Sequence, residues 1–181
     1  MTDMYYTGIG SRNTPTDILQ LMDDIAVDLG DYGYTLRSGG AVGADSAFER
    51  GCDSVRGKKE IYLPWKWFNE NSSLLYEITP EAYAIAETIY GCRWKTLPDS
   101  IRKLMARNIY QVTGKTLDKP SDFVVCWTPD GATIKRTNKS GGTGQAISYA
   151  NTVHAPVFNL KNDNDFDRLM KYVEQIGAIT W

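Results

Sequence analysis

Three short segments of this chain carry the residue types that hold an anion. Gly8-Ile9-Gly10-Ser11-Arg12-Asn13 combines glycines, which let a backbone come close to a ligand, with an arginine that pairs with phosphate or carboxylate. Ser38-Gly39-Gly40-Ala41-Val42-Gly43-Ala44-Asp45 runs into a helical pattern, and the free amides and dipole at a helix start favour negative charge. Lys135-Arg136-Thr137-Asn138-Lys139-Ser140-Gly141-Gly142-Thr143-Gly144-Gln145 repeats the arrangement behind three cations. The chemistry these segments share is a phosphate cradle built from backbone amides. Each has a plainer reading. Arg12 reaches a ligand or faces solvent from a tight turn. Asp45 complements a helix dipole or accepts from a ribose hydroxyl. The third segment is a cradle or a flexible loop with a solvated basic run. None is a dinucleotide fingerprint, because Asn13 stands where the third glycine belongs and no clear acidic residue ends the second strand. None is a Walker A loop, because no Lys-Ser or Lys-Thr follows the glycines.

Other candidates are fewer. Ile101, Leu104, Met105, Ile109 and Val112 form an apolar helical stripe with Asn108 in its middle. An asparagine buried there needs partners, since an unpaired buried polar group costs roughly 1–3 kcal/mol. It ties down a neighbouring loop or reaches a ligand, and Arg107 and Arg102 flank the same region. The chain has one histidine, His154, which excludes histidine-based zinc sites and two-histidine iron sites. His154 precedes an apolar stretch and reads as structural. No metal and no cofactor is expected. Any chemistry then falls to carboxylates, with Asp45 and Glu49 as candidates, and to arginines such as Arg107.

The elements that must place these residues alternate. Strands are expected at Met4–Ile9, Tyr34–Ser38, Glu60–Leu63, Asp122–Trp127 and Pro156–Asn159. Helices are expected from Thr14 as N-cap with Pro15 at the first helical position to Gly30, from Ala44 to about Val55, from Thr79-Pro80 to about Tyr90, from Pro98 to Gly114, from Gly144 to Asn151, and at the C-terminal end. Alternation of this kind predicts an α/β fold, Rossmann-like and doubly wound. Its mainly parallel sheet would have about five to six strands, with helices on both faces. Ligands bind such sheets at the carboxyl ends of the strands, which is where all three glycine segments fall.

Composition narrows the partners. The 181 residues suit one domain, residues 1–181, and carry a formal net charge of −2, which excludes coating of nucleic acid by charge alone. No apolar run is long enough for a membrane span, and the N-terminus lacks the pattern of a secretory signal. Cys52, Cys92 and Cys126 fit a reduced cytoplasmic protein with small buried thiols. Aromatics reach 12%, including 5 tryptophans and 11 tyrosines. Trp65, Trp67 and Phe68 follow the third strand and Trp127 ends the fourth, all on the expected ligand edge; Trp181 is expected to cover the C-terminal end.

Taken in order, Gly10-Ser11-Arg12, Ser38-Gly39-Gly40 with Asp45, Arg107-Asn108, and Gly141-Gly142-Thr143-Gly144 resemble the SLOG superfamily over about Tyr5 to Leu160. That group includes the DNA-processing protein A (Smf) family and the Lonely Guy phosphoribohydrolases. The nearest resemblance is to small stand-alone DNA-processing-protein-A-like proteins of bacteria and bacteriophages. The resemblance implies a Rossmann-like fold, a nucleotide-type ligand, a homo-oligomer, and a cytoplasmic location (host cytoplasm for a bacteriophage protein). The resemblance and the loop reading together give an expected ligand-binding set of Gly10, Ser11, Arg12, Ser38, Gly39, Gly40, Gly43, Asp45, Arg107, Asn108, Trp127, Lys139, Gly141, Gly142, Thr143, Gly144 and Gln145. The Lonely Guy motif P-G-G-x-G-T-x-x-E needs a glutamate where this chain has Ser148, so the phosphate half is present and the catalytic half is not. The leading expectation is therefore a sensor or sequestering protein for a small phosphorylated nucleotide-type ligand, with Trp127 or Trp65 stacking on the base. The alternatives are an N-glycosidase of nucleoside monophosphates and a single-stranded DNA-binding recombination accessory protein.

Overall fold

A computed structural model describes residues 3–176; the expected role of Trp181 falls outside the described residues. Five short strands form one parallel sheet: β1 (Tyr5–Gly8), β2 (Thr35–Ser38), β3 (Lys59–Ile61), β4 (Phe123–Cys126) and β5 (Val157–Asn159). Their order is β3-β2-β1-β4-β5, so the chain reverses direction across the sheet between β1 and β4. This is the doubly wound, Rossmann-like arrangement, with a crevice at the switch point.

Helices cover both faces. On one side lie α1 (Thr16–Asp31), α2 (Ala44–Ser54) and α6 (Asp165–Gln175). Their apolar faces meet Tyr6, Leu36, Phe123, Val125 and Phe158 in one core cluster. On the other side lie α3 (Pro80–Tyr90), α4 (Asp99–Thr113) and α5 (Gly141–Thr152), which meet Ile9, Val124, Cys126 and Val157. Alternate residues of each strand thus point to opposite layers, as the pleat requires.

Much of the aromatic content is spent here. Tyr6 stacks on Phe123 at 6.1 Å between centroids, and Tyr34, Phe48, Phe158 and Tyr172 complete a chain of edge and tilted contacts. Phe48 and Cys52 on α2 are fully buried in this core.

Several element boundaries, most by a single residue, and one burial differ from expectation. Pro15, not Thr14, occupies the N-cap of α1, and the Thr14 hydroxyl instead donates to Ser11 O at 2.7 Å. Strand β3 closes at Ile61, and Tyr62 continues as an isolated bridge to Leu75. Helix α5 begins at Gly141, three residues before the expected Gly144. Glycine's low helix propensity hid this first turn. Cys92 is exposed, whereas Cys52 and Cys126 are buried; all three are free thiols. No helix among the described residues is long and apolar enough to cross a membrane.

Candidate functional site

The three glycine segments meet at the carboxyl edge of the sheet, and much of their glycine content serves contact between them. Ser11 N donates to Trp127 O at 3.1 Å, which joins the turn after β1 to the end of β4. Gly43 has a positive φ of 89°, and a Cβ there would lie 2.8 Å from Arg12 Cα. A Cβ at Gly10 would lie 2.6 Å from Ala44 Cβ. Ser38 is buried and its hydroxyl donates to Gly8 O at 2.6 Å. The turn after β2 is therefore seated on the turn after β1, and Gly10, Ser38 and Gly43 bring backbone to backbone.

Beneath this edge runs a buried polar relay. Asp45, in the first turn of α2, lies 3.8 Å from the Arg107 guanidinium of α4, and both side chains are about 5% exposed. Burial raises the Asp45 carboxyl to about 6, while Arg107 and the amides of Ala41, Gly10 and Gly39 pull it down. Burial likewise lowers the Arg107 guanidinium from its ordinary value, with Asp45 opposing. Arg107 donates to Gly39 O, and a Cβ at Gly39 would overlap its guanidinium. The Gln111 amide, oriented so that its oxygen faces donors, accepts from Gly39 N (3.0 Å) and Arg107 Nη1 (3.2 Å) and donates to Asn108 Oδ1 (3.1 Å). Asn108 Nδ2 then donates to Gly142 O (3.0 Å) and Gln145 Oε1 (3.1 Å). Residues 107, 108 and 111 of one helix thus link the turn after β2 to the first turn of α5. Gln111 carried no motif signal, and its position one turn from Arg107 on the buried face was the available clue.

The first turn of α5 is the open part of the edge. Gly141 is exposed with a φ of 57°, and a Cβ there would meet nothing within 4 Å. Gly142 and Thr143 are half-buried, and a Cβ at Gly142 would lie 3.2 Å from the flexible Met105 methyl. Gly144 is closed, because a Cβ would overlap the Ser140 hydroxyl. Gln145 is fully buried, and its Nε2 has no protein partner among the described residues. The basic run before the helix is tied down. Thr137 donates to Asp130 and its amide donates to Ser140 Oγ at 2.8 Å. Arg136 N donates to Ser148 Oγ at 2.7 Å, and its guanidinium stands 4.4 Å over the Tyr90 ring. Lys135 and Lys139 remain exposed, as does Arg12, and none of the three joins an ion pair among the described residues.

Other named residues sit elsewhere. Trp127 is 7% exposed and packs in the core cluster beside Phe158 and Leu160, so its ring offers no open face for a base. Trp65 (38% exposed) and Trp67 (59%) carry exposed indoles. Gly40 holds a φ of 65°, and its carbonyl accepts from Asn69 Nδ2 at 3.0 Å. Glu49 pairs with Lys59 (2.8 Å) and accepts from Asn71. Arg102 pairs with Asp99 at 3.8 Å, so Arg107 alone of the two arginines joins the relay. His154 is exposed at φ 60° in the turn after α5. At the far end of the edge, buried Asn159 braces the segment after β4 through Thr128 Oγ1 (2.7 Å) and Ala132 O (2.8 Å), and its amide donates to Asp165 at 3.0 Å. That brace had no sequence signal beyond an asparagine and an aspartate flanking a strand end.

A five-strand parallel sheet with helices on both faces and glycine turns at its carboxyl edge defines the Rossmann-like α/β class. Among solved structures, this chain resembles DNA processing protein A from Helicobacter pylori, a protein described for a unique single-stranded DNA binding mode. The match covers 99% of this chain and 75% of that chain, with a TM-score of 0.54 and 18% identity. The likeness is one of fold. No family model and no curated protein sequence matches the chain.

Proposed function

We propose that this protein binds single-stranded DNA along the carboxyl edge of its sheet. The observation that carries the reading is a set of exposed cations outside ion pairs, Arg12 in the turn after β1 and Lys135 and Lys139 in the segment leading into α5, together with an α5 start whose first glycine is open. Backbone phosphates would sit on the free amides of Gly141–Thr143 and pair with these side chains. The fold shared with a single-stranded DNA-binding protein supports the same reading.

The test is fluorescence anisotropy with a labelled oligothymidylate at low and physiological salt. Arg12→Ala and Lys139→Ala should each weaken binding several-fold while leaving the melting temperature unchanged. No binding of the wild type at low salt would remove the proposal.

A second reading has its own observation. The buried, unpartnered Nε2 of Gln145, one turn into α5, suits an acceptor oxygen of a small phosphorylated nucleotide. Calorimetry with nucleoside monophosphates distinguishes the two: saturable binding of a mononucleotide, weakened by Gln145→Leu, favours the small ligand. The residues give less support to N-glycosidic chemistry, and we propose that the edge does not carry it out. Ser148 donates back to Gly144 O at 3.0 Å, and the Asp45 and Glu49 carboxylates are committed to partners within the fold. Release of free base from nucleoside monophosphates or NAD would overturn that statement. Oligomer formation, implied by the superfamily resemblance, is read by light scattering with and without oligonucleotide.

A further inference from the structure

Beyond the strand edge, the segment between β3 and α3 builds a second surface. Pro64, Trp65, Lys66, Tyr76, Ile78, Tyr83 and Lys103 line a cleft of roughly 350 Å³. Three aromatic rings and two ammonium groups line it, and no carboxylate does. Lys66 joins no ion pair among the described residues. Lys103 is paired with Asp99 at 3.1 Å and keeps about two-fifths of its side chain in solvent. The Trp65 ring is held edge-on against Phe68 at 5.1 Å and 88°, with 38% of the residue exposed.

The backbone beside this ring is costly to hold. Trp67, Asn69 and Glu70 all have φ between 50° and 63°, a region that non-glycine residues rarely occupy. Two contacts fix the segment to the carboxyl edge. Asn69 Nδ2 donates to Gly40 O, and the Arg107 guanidinium lies 5.8 Å from the Phe68 ring centroid. The cleft is thus anchored to the turn after β2, and it is distinct from the α5 start where the superfamily's glycine motif falls.

We infer that this cleft is a base-stacking site for single-stranded nucleic acid. Trp65, Tyr76 and Tyr83 would present faces or edges to unstacked bases, and Lys66 and Lys103 would meet the adjoining phosphates. Flat rings interleaved with cations match that ligand, because every base has a π-face and every linkage a negative charge. A hydrophobic protein partner would leave the Lys66 ammonium without a counter-charge, whereas Lys103 already has Asp99. The inference rests on the single-stranded DNA reading above.

The test compares the full chain and three variants, Trp65→Ala, Trp65→Phe and Arg12→Ala. Each is titrated with oligothymidylate and with an abasic strand of equal length. Trp65→Ala should lose roughly ten-fold in affinity for oligothymidylate. Trp65→Phe should recover most of it, and the abasic strand should bind wild type and Trp65→Ala alike. Melting temperatures of the variants establish that each is folded. Equal affinity of wild type and Trp65→Ala for oligothymidylate overturns the cleft while leaving the edge intact. Sensitivity to Trp65 without sensitivity to Arg12 overturns the edge and keeps the cleft. Absence of any wild-type binding overturns both. Saturable binding of a thymidine mononucleotide at similar strength, lost in Trp65→Ala, would overturn the polymer as occupant.

Discussion

Asp45 shows how one residue changes meaning with its surroundings. At a helix start an aspartate ordinarily complements the dipole from a solvated position. Here it lies inside, and desolvation outweighs Arg107 and the amides of Ala41, Gly10 and Gly39, leaving the carboxyl at about 6. The sign for stability follows. The folded state holds this proton more tightly than the unfolded chain, whose value is near 3.8. The stabilisation is complete below the unfolded value and is lost as pH rises through about 6, with a total on the order of 3 kcal/mol. A carboxyl carbon chemical-shift titration should show a midpoint near 6, moving upward in Arg107→Gln because Arg107 lowers it. A wild-type midpoint in the ordinary carboxylate range would show that Asp45 is solvated. Asp45 is thus held inside the protein, 3.8 Å from the Arg107 guanidinium and accepting from the Ala41 amide at 3.3 Å.

Helix α4 acts as a strut between two sheet ends. Its apolar stripe was plain from spacing, and so was the polar interruption at Asn108. The spacing left open what the interruption faced. Four side chains in series, Arg107, Gln111, Asn108 and Gln145, span the distance from Gly39 to the first turn of α5. Removing the middle member should loosen one end of the strut more than the other. Asn108→Leu leaves Gly142 O and Gln145 Oε1 without their donor and the Gln111 amide without its acceptor, and the three lost bonds predict a loss of about 1–3 kcal/mol or more in chemical denaturation. Hydrogen exchange should accelerate in the α5 first turn, and far less at Gly39, which keeps Arg107. Uniform acceleration across the fold would mean that the helix core, rather than the strut, had been damaged. The same series explains why α5 begins early. Gly141–Thr143 have weak helix propensity, but the Asn108 amide fixes the carbonyl of Gly142, a tertiary contact that no local pattern encodes.

For the whole molecule, charge sets the strength of what it can bind. A net charge of −2 gives no general attraction to a polyanion, so binding must come from local cations. With about three phosphates neutralised by Arg12, Lys135 and Lys139, the logarithm of affinity for single strands should fall with the logarithm of salt at a slope near −2, and Lys66 and Lys103 at the cleft would bring it to about −3.5. A slope steeper than about −5 would require cations beyond the edge and the cleft. The two layers of helices, the aromatic core and the switch point between β1 and β4 together keep that edge at one end of the sheet.

The alternation of apolar runs and helical stripes was enough to specify a parallel α/β sheet with its glycine turns on one edge, because strand and helix periods and turn chemistry are local properties. The placement of Gly10, Ser38, Gly39 and Gly43 at strand ends was legible for the same reason. Local pattern did not distinguish a glycine that faces a ligand from one that faces the protein. Gly39 and Gly43 turned out to admit Arg107 and Arg12, while Gly141 stayed open. It also did not sort the tryptophans. Trp127 went into the core and Trp65 to the rim, though both follow strands. Those outcomes depend on which segments meet across 30 to 70 residues of chain, as in the pairing of Gly39 with Arg107 and of Gly40 with Asn69. Only tertiary packing brings such partners within contact distance, and only there is it decided which polar groups remain free for a partner molecule.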